Sequence, residues 1–365
     1  EHIDYYKEKS ADEMAMINYT SGTTGFSKGV MIPYRALWSN YDFAKNVLGS
    51  IIPSGANTIS ILPMAHMYGM AFEFLFEFIH GCHVFYLTRV PSPAIIAQAF
   101  KDVKPAIIIA VPLVIEKIIK KKVFPKIQNS KVKLLLKMPG INKKVKQKIR
   151  EQVYEAFGGN LYEVIIGGAA LNQEVEAFLK DIDFPFTVGY GATECAPIIA
   201  YEDWHKFVPS SCGKEVVHMK VKIDSENPYS KPGEILAKGL NVMLGYYKNE
   251  EATQKTIDKD GWYHTGDLGL MDADGNIFIK GRSKNMLLGP NGQNIYPEEI
   301  EDKINSLAFV MESVVIQEDN KLVALVHPDY DEVHEMGLSD EDLNKLMEEN
   351  KQQLNTELPA YCKIS

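Results

Sequence analysis

The chain has 365 residues, 45% of them hydrophobic, which is enough for a large buried core and more than one domain. A formal charge of −9 disfavours nucleic acid as a partner, and no run of about 18 apolar residues is present to span a membrane. Cys82, Cys195, Cys212 and Cys362 lack Cys-x-x-Cys spacing, which argues against a zinc site and for a reducing, cytoplasmic compartment.

Near the start, Glu13 to Tyr19 alternates apolar residues and predicts a strand, and Val30 to Leu48 predicts a helix. Between them lies a run dense in hydroxyls and glycines around one lysine: Thr20, Ser21, Gly22, Thr23, Thr24, Gly25, Phe26, Ser27, Lys28, Gly29. Its glycines let backbone N–H groups approach phosphate oxygens, the hydroxyls add donors, and Lys28 adds a point charge. A strand, loop and helix in succession is the setting a phosphate-cradling loop requires. The pattern is not the P-loop of NTPases, because Lys28 stands between Ser27 and Gly29, and it is not a dinucleotide fingerprint. A flexible strand-to-helix turn is the plainer reading.

Further along, short apolar runs at Thr58 to Leu62, Cys82 to Leu87, Ala106 to Val111 and Leu161 to Ile166 alternate with amphipathic patterns. That alternation predicts an α/β fold with parallel sheets covered by helices. The apolar stretch Met67 to Leu87 is interrupted by Glu73, Glu77, His80 and His83. Lys117 to Arg150 holds thirteen Lys/Arg and no Asp or Glu. Such a run suits an anionic membrane surface or the phosphates of a bulky substrate, and equally a solvated helix face opposite Val145, Ile149 and Val153. From about Pro209 the runs shorten (Val221 to Asp224, Gly233 to Ala237, Asn276 to Lys280) and predict a small, mainly antiparallel β region. After Arg282 come a Gly-rich link at Gly289 to Asn294, a helix start at Pro297 to Asn305 and a strand at Ser313 to Gln317. A second, smaller α/β domain is expected to begin near Lys284.

Three more clusters follow the first loop in order. They are Gly167-Gly168-Ala169-Ala170-Leu171 after a strand, Gly189-Tyr190-Gly191-Ala192-Thr193-Glu194, and Gly261-Trp262-Tyr263-His264-Thr265-Gly266-Asp267. The last leads into Gly281-Arg282-Ser283-Lys284-Asn285 and Gly292-Gln293-Asn294-Ile295-Tyr296-Pro297-Glu298-Glu299. With the first loop, this series resembles the adenylate-forming superfamily of acyl-CoA synthetases, peptide-synthetase adenylation domains and luciferases, over essentially the whole chain.

The resemblance implies a large adenylation domain of helix-covered sheets with a small β subdomain (residues 1–283, lacking its first part). A small mobile α/β domain (284–365, incomplete) would follow it. It also implies ATP-dependent activation of a carboxylic acid to an acyl-adenylate, with ATP and Mg²⁺, and transfer to coenzyme A. Thr20 to Lys28 would hold the β and γ phosphates. Thr193 would bind the α-phosphate and Glu194 the Mg²⁺. Gly168, Ala169, Ala170, Tyr190 and Gly191 would wall the adenine, Asp267 would take the ribose hydroxyls, and Arg282 would contact ribose or phosphate. Lys284 matches the hinge. His66 matches a position near the reacting carboxylate, although a histidine at a helix start also serves as a cap or packing group.

Val111 to Ile118 with the basic run after it resembles the long-chain fatty acyl branch, and Met67 to Phe78 would then line an acyl tunnel or belong to plain core. Two departures stand out. Ser27 replaces the usual proline, and the family's closing Gly-Lys lysine is absent, since Lys363 is not in that motif. The expectation is therefore a truncated, feebly active chain. The alternatives are an acyl-AMP ligase that loads a carrier protein and a non-catalytic nucleotide-binding fragment.

Overall fold

The computed structural model describes residues 9–20, 27–88, 92–127, 135, 138, 141–289, 293–319 and 321–365. Strand β1 (Met14–Thr20) pairs antiparallel with β2 (Lys28–Pro33), with Thr20 opposite Lys28. Here the expected helix from Val30 is corrected: residues 30–33 are strand, and the helix is confined to Tyr34–Leu48. Val30 and Ile32 are β-branched and fully buried on a pleated surface, and Pro33, extended at φ −81 and ψ 160, marks the helix entrance. The hydroxyl-rich run therefore joins two strands of a hairpin instead of opening a helix.

Strands β3 (Asn57–Ser60) and β4 (His83–Tyr86) pair in parallel, as do β5 (Ile107–Ala110), β6 (Glu163–Ile166) and β7 (Phe186–Val188) in that order. Every residue of β5 and β6 is buried, as strands covered on both faces require. Their side chains alternate between two cores. Ile108, Val164 and Ile166 face the cluster formed with Phe100 and Val153, while Ile107, Ile109 and Ile165 face the cluster formed with Phe43, Phe72 and Phe76.

A second sheet has the order β10 (Lys214–Glu215), β9 (Ile198–Tyr201), β8 (Tyr190–Gly191). The antiparallel region is a four-stranded sheet of β11 (Met219–Asp224), β12 (Gly233–Gly239), β14 (Tyr263–Met271) and β15 (Ile277–Arg282). In β11, Met219, Val221 and Ile223 point inward and Lys220, Lys222 and Asp224 outward, which is the pattern of a sheet with one wet face. Strand β13 (Gly245–Tyr246) leaves this region to pair with β2, Tyr246 opposite Val30.

Past β15 come the short pair β16 (Leu287–Leu288) and β17 (Asn294–Ile295), the pair β18 (Val310–Glu318) and β19 (Lys321–Pro328), and the helices Pro297–Ile304 and Asp340–Glu357. Ile295, Ile300, Ile304, Val315, Leu322 and Leu354 share a core cluster there. The end of the helix Pro297–Ile304 is capped from elsewhere in the chain. Lys120 Nζ and Asn172 Nδ2 both donate to the carbonyl of Asn305, at 3.1 and 3.2 Å, where an ammonium also complements the helix dipole. Part of the basic segment is paired internally as well: Lys146 bridges Asp181 and Arg150 bridges Asp183 at 3.2 Å. Along the helix Asn142–Ala156 the apolar side, Ile149 and Val153, is buried. No helix among the described residues is long and apolar enough to cross a membrane.

The acids that break the apolar stretch are buried inside it. Glu73 lies on the π-helix Gly69–Phe76 and Glu77 on the short helix Glu77–His80. Glu73 accepts from Ser60 Oγ (3.1 Å) and the N–H groups of Ile61 and Leu62 (3.1 and 2.9 Å), and Glu77 accepts from Thr58 Oγ1 (2.8 Å). Burial pushes Glu73 up from 4.5 to about 7 and Glu77 to about 9. A carboxyl whose folded pKa is raised holds its proton in the native state after the unfolded chain has released it. Stability contributed by Glu77 is thus present below 4.5 and falls as pH rises toward about 9. Urea unfolding should show a decline of up to about 1.4 kcal/mol per pH unit per such group. Glu77→Gln, which keeps an acceptor for Thr58, should flatten that decline. An unchanged slope in the variant would rule out this source.

Candidate active site

Three side chains from distant parts of the chain meet where β13 joins β2. The ammonium of Lys28 sits 4.6 Å from the ring centroid of Tyr246, and the Tyr246 hydroxyl donates to Glu194 Oε1 at 2.8 Å. Main-chain bonds fix this group: Tyr247 N–H donates to Gly29 O (2.7 Å), Leu244 N–H to Met31 O (2.9 Å) and Met243 N–H to Glu194 O (2.8 Å). Burial first, and then the Glu194 charge, push the Tyr246 phenol up, so it stays a donor. Thr193 and Glu194 lie on a single 3₁₀ turn, Thr193–Cys195. Cys195 is fully buried there and its thiol is pushed well up, which leaves it an inert core group. Thr20 closes β1 beside Lys28, while Ser21, Gly22, Thr23, Thr24 and Gly25 lie outside the described residues.

A second group forms on β14. Strand alternation turns Tyr263, Thr265 and Asp267 to the buried face, so an aspartate stands where the period calls for an apolar residue. Its Oδ2 accepts from Tyr190 OH at 2.5 Å, its Oδ1 meets Arg282 Nε at 3.0 Å, and its N–H donates to Thr265 Oγ1 at 3.0 Å. Burial raises the Asp267 pKa against the opposing pull of Arg282 and Tyr190, and the Glu194 charge adds to the rise. Glu194 of the first group therefore bears electrostatically on Asp267 of the second.

Between them and the core lies a cavity of about 760 Å³. Its lip carries His66, Gly168, Gly191 and Thr193, and its buried walls include Phe43, Phe72, Phe76, Ile107, Ile109 and Tyr201. Gly168 has φ +92, a conformation that suits glycine, and it leads the exposed residues Ala169 and Ala170 away from β6. Gly191 is needed for another reason, since a Cβ there would come within 2.3 Å of the Pro197 carbonyl oxygen.

Lys284 is exposed just beyond β15. The turn around it is gripped by Glu298 of the helix Pro297–Ile304, whose Oε1 accepts from Arg282 N–H (3.3 Å) and Asn285 Nδ2 (2.7 Å). Sequence reasoning missed both Tyr246 and Glu298. Tyr246 belongs to no hydroxyl- or Gly-rich cluster, and only its distance pairing with β2 reveals it. Glu298 sits inside a quoted cluster, and its place beside Pro297 at a helix start reads as an ordinary first-turn acid.

Helix-covered parallel sheets, an antiparallel β region and these converging loops define an α/β fold of the adenylate-forming type. Residues 3–247 match the model of the AMP-binding enzyme family, and the chain belongs to that family. It is 28% identical over 346 residues to long-chain-fatty-acid–CoA ligase 1 of Saccharomyces cerevisiae, covering 87% of this chain and 49% of that protein. It is 29% identical over 327 residues to the long-chain-fatty-acid–CoA ligase of Salmonella typhimurium, covering 86% and 52%. The chain thus spans about half the length of the curated relatives it matches. Among solved structures it resembles the ATP-bound RpMatB-BxBclM chimera B1, with a TM-score of 0.73, 26% identity, and coverage of 98% of this chain and 64% of that one. The Bacillus subtilis o-succinylbenzoate coenzyme A synthetase in complex with AMP shares the fold at a TM-score of 0.72 and 22% identity, covering 98% and 65%.

Replacement of Gly191 by alanine is expected to cost about 1–3 kcal/mol, because the Pro197 backbone has to move to admit the methyl group. Urea denaturation of Gly191→Ala checks it, and wild-type stability would show that the approach is looser than 2.3 Å implies.

Proposed function

We propose that this chain binds ATP and a fatty acid as part of a long-chain fatty acid–CoA ligase, with coenzyme A as cosubstrate. The observation that carries the reading is the apolar cavity of about 760 Å³ whose lip, at Thr193 and Gly191, adjoins the Lys28–Tyr246–Glu194 group. A site that joins an apolar acid to a polyphosphate needs this division between a dry hole and a charged rim. Kinship with long-chain ligases in yeast and Salmonella supports the fatty-acid class and favours coenzyme A over a carrier protein as acceptor.

In this reading a carboxylate oxygen of the acid attacks the α-phosphorus of ATP, the bond to the bridging oxygen breaks, and pyrophosphate leaves. The thiol sulfur of coenzyme A then attacks the acyl carbon and AMP departs. Lys28 would neutralise the β and γ phosphates together with Thr20, Ser21, Gly22, Thr23, Thr24 and Gly25. The Thr193 hydroxyl would donate to the α-phosphate. Among the described residues no group of three or more His, Cys, Asp or Glu forms a metal cage. A lone carboxylate beside substrate phosphates is nonetheless how Mg²⁺ is commonly held, and Glu194 has that character. When bound, the ion would supply further charge neutralisation on the phosphates.

Asp267, fixed by Tyr190 and Arg282, would accept from the ribose hydroxyls, and Gly168 to Ala170 would border the adenine. His66 at the lip would stand near the reacting carboxylate, and Lys284 would serve as the hinge of a small domain, residues 284–365, that closes on residues 1–283. The separate core cluster of Ile300, Val315 and Leu354 supports that division. The exposed lysines on the helix Asn142–Ala156, Lys143, Lys144 and Lys148, would rest on anionic lipid from which the acid is drawn.

Calorimetry with Mg²⁺ and α,β-methylene-ATP should show binding that Asp267→Ala weakens by roughly 1.5–3 kcal/mol, the range for hydrogen bonds to a charged group. Acid-dependent exchange of labelled pyrophosphate into ATP should drop by about 10²–10³ in Lys28→Ala. Nucleotide binding indifferent to Asp267, together with exchange indifferent to added acid, would refute the reading.

A further inference from the structure

Resting on the fatty-acid reading, the shape of the cavity limits the length of chain it accepts. One wall is an arc of aromatic rings in edge-on contact. Tyr68 meets Phe72 with centroids 6.0 Å apart, Phe72 meets Phe43 at 6.2 Å, and Phe43 meets Tyr201 at 5.3 Å, with interplanar angles of 75–77°. All four line the cavity. Both ends of the arc are tied to the same strand. The Tyr68 hydroxyl donates to Ile165 O at 3.0 Å, and the Tyr201 hydroxyl donates to Glu163 Oε2 at 2.7 Å.

Residues 163, 165 and 167 lie on one face of that strand and its extension, by the two-residue period. They are a carboxyl, an isoleucine that lines the cavity, and a glycine. A Cβ at Gly167 would stand 3.1 Å from the Tyr68 ring, so the ring covers the strand closely at the lip. At the other end Glu163 has no exposed surface; its Oε1 accepts from Trp204 N–H at 3.1 Å, and burial raises its pKa to about 8. A carboxyl so placed does not reach the cavity. Its visible effect is to hold the buried Tyr201 ring in the cavity wall.

We propose that the arc Tyr68–Phe72–Phe43–Tyr201, pinned at both ends to β6, is the gauge that sets how many carbons of a bound acyl chain lie straight in the cavity. Tyr201 and Phe43 are its specificity-determining stops, and Glu163 is a positioning residue acting through Tyr201. From Gly167 to Glu163 the strand rises roughly 13 Å. An extended chain of about 1.5 Å C–C bonds advances roughly 1.3 Å per carbon, so about ten carbons fit before Tyr201. Carbons beyond that turn toward the partly open side of the cavity at Leu113, which is 50% exposed.

The test is displacement of a dansyl-labelled fatty acid from the 365-residue chain by unlabelled acids from hexanoate to octadecanoate. Affinity should rise roughly fourfold per methylene while the chain is being buried, then level off near decanoate to dodecanoate. Phe43→Ala and Tyr201→Ala should move the break to acids several carbons longer. Tyr201→Phe, which keeps the ring and frees it from Glu163, should blur the break and move it in the same direction. Glu163→Gln, which keeps one acceptor oxygen for Tyr201 but loses the one that accepts from Trp204 N–H, should move it less than Tyr201→Phe does. A break unmoved in Phe43→Ala, Tyr201→Ala and Tyr201→Phe, or an equal loss of affinity at every length, overturns the gauge alone. No binding of any acid by the unaltered chain overturns the fatty-acid reading and the gauge with it.

Discussion

Two backbone pairs, Gly245 with Met31 and Tyr246 with Val30, hold the candidate site together. Without them the hairpin of β1 and β2 would be a lone two-stranded ribbon, which is at best marginally stable in water. With them, the strand that leaves the hydroxyl-rich run is packed between β1 and β13 in a three-stranded sheet. The same short segment, residues 243–247, also bonds to the Glu194 backbone, so the lysine and the carboxylate are placed by one rigid piece of main chain. Tyr246 completes the arrangement by offering its ring face to the cation and its hydroxyl to the anion. The phenol thus contacts both the ammonium and the carboxylate and fixes each relative to the other.

Much of this was legible in the sequence because it is local. Continuous Ile-rich runs became the buried parallel strands β5 and β6, and the alternation in Met219 to Asp224 became a one-faced antiparallel strand. Asp267 could be picked out from its Thr-Gly-Asp cluster, although its burial and its two partners could not. What escaped depends on contacts between remote segments. The Val30 to Pro33 stretch looked like the start of a helix because its apolar residues continue into one. It is strand because β1 pairs with it along its length and β13, more than 200 residues away, covers its other edge at Val30 and Met31, pairings that leave no trace in local periodicity. Glu73 and Glu77 read as interruptions of an apolar run, whereas the structure turns them toward Ser60, Thr58 and the backbone of residues 61–62. The basic run likewise looked unpartnered, because Asp181, Asp183 and Asn305 lie far along the chain.

Buried carboxyls recur around the cavity, and their positions follow one rule. Glu73, Glu77 and Glu163 are each fully or almost fully buried, each is raised mainly by burial, and each accepts from a hydroxyl or backbone N–H of a neighbouring strand or loop. Replacing such groups with apolar residues would often cost little, so their stability contribution is not what explains them. What they provide is direction, since a carboxyl that accepts from particular donors fixes the rotation of its element more narrowly than an apolar contact can. Glu73 and Glu77 orient the helical stretch that carries Phe72 and Phe76, and Glu163 orients Tyr201. Three of the aromatic walls of the cavity are therefore positioned by acids that stand behind them.

A cavity walled by freely rotating aromatics would adjust to many shapes of ligand and discriminate poorly between them. Here Tyr68 and Tyr201 are each tied at the hydroxyl, and Phe43 and Phe72 are locked between them by edge-on contacts. The polar rim imposes a different requirement, because the Lys28, Glu194 and Asp267 side chains each need a fixed polar neighbour. Tyr246 and Tyr190 meet that requirement, since burial and the adjacent carboxylate keep both phenols protonated and donating. Tyrosine is thus the joint between the two halves of the site: the Tyr190 ring lines the cavity, the Tyr246 ring packs in the core beneath Lys28, and both hydroxyls donate to carboxylates.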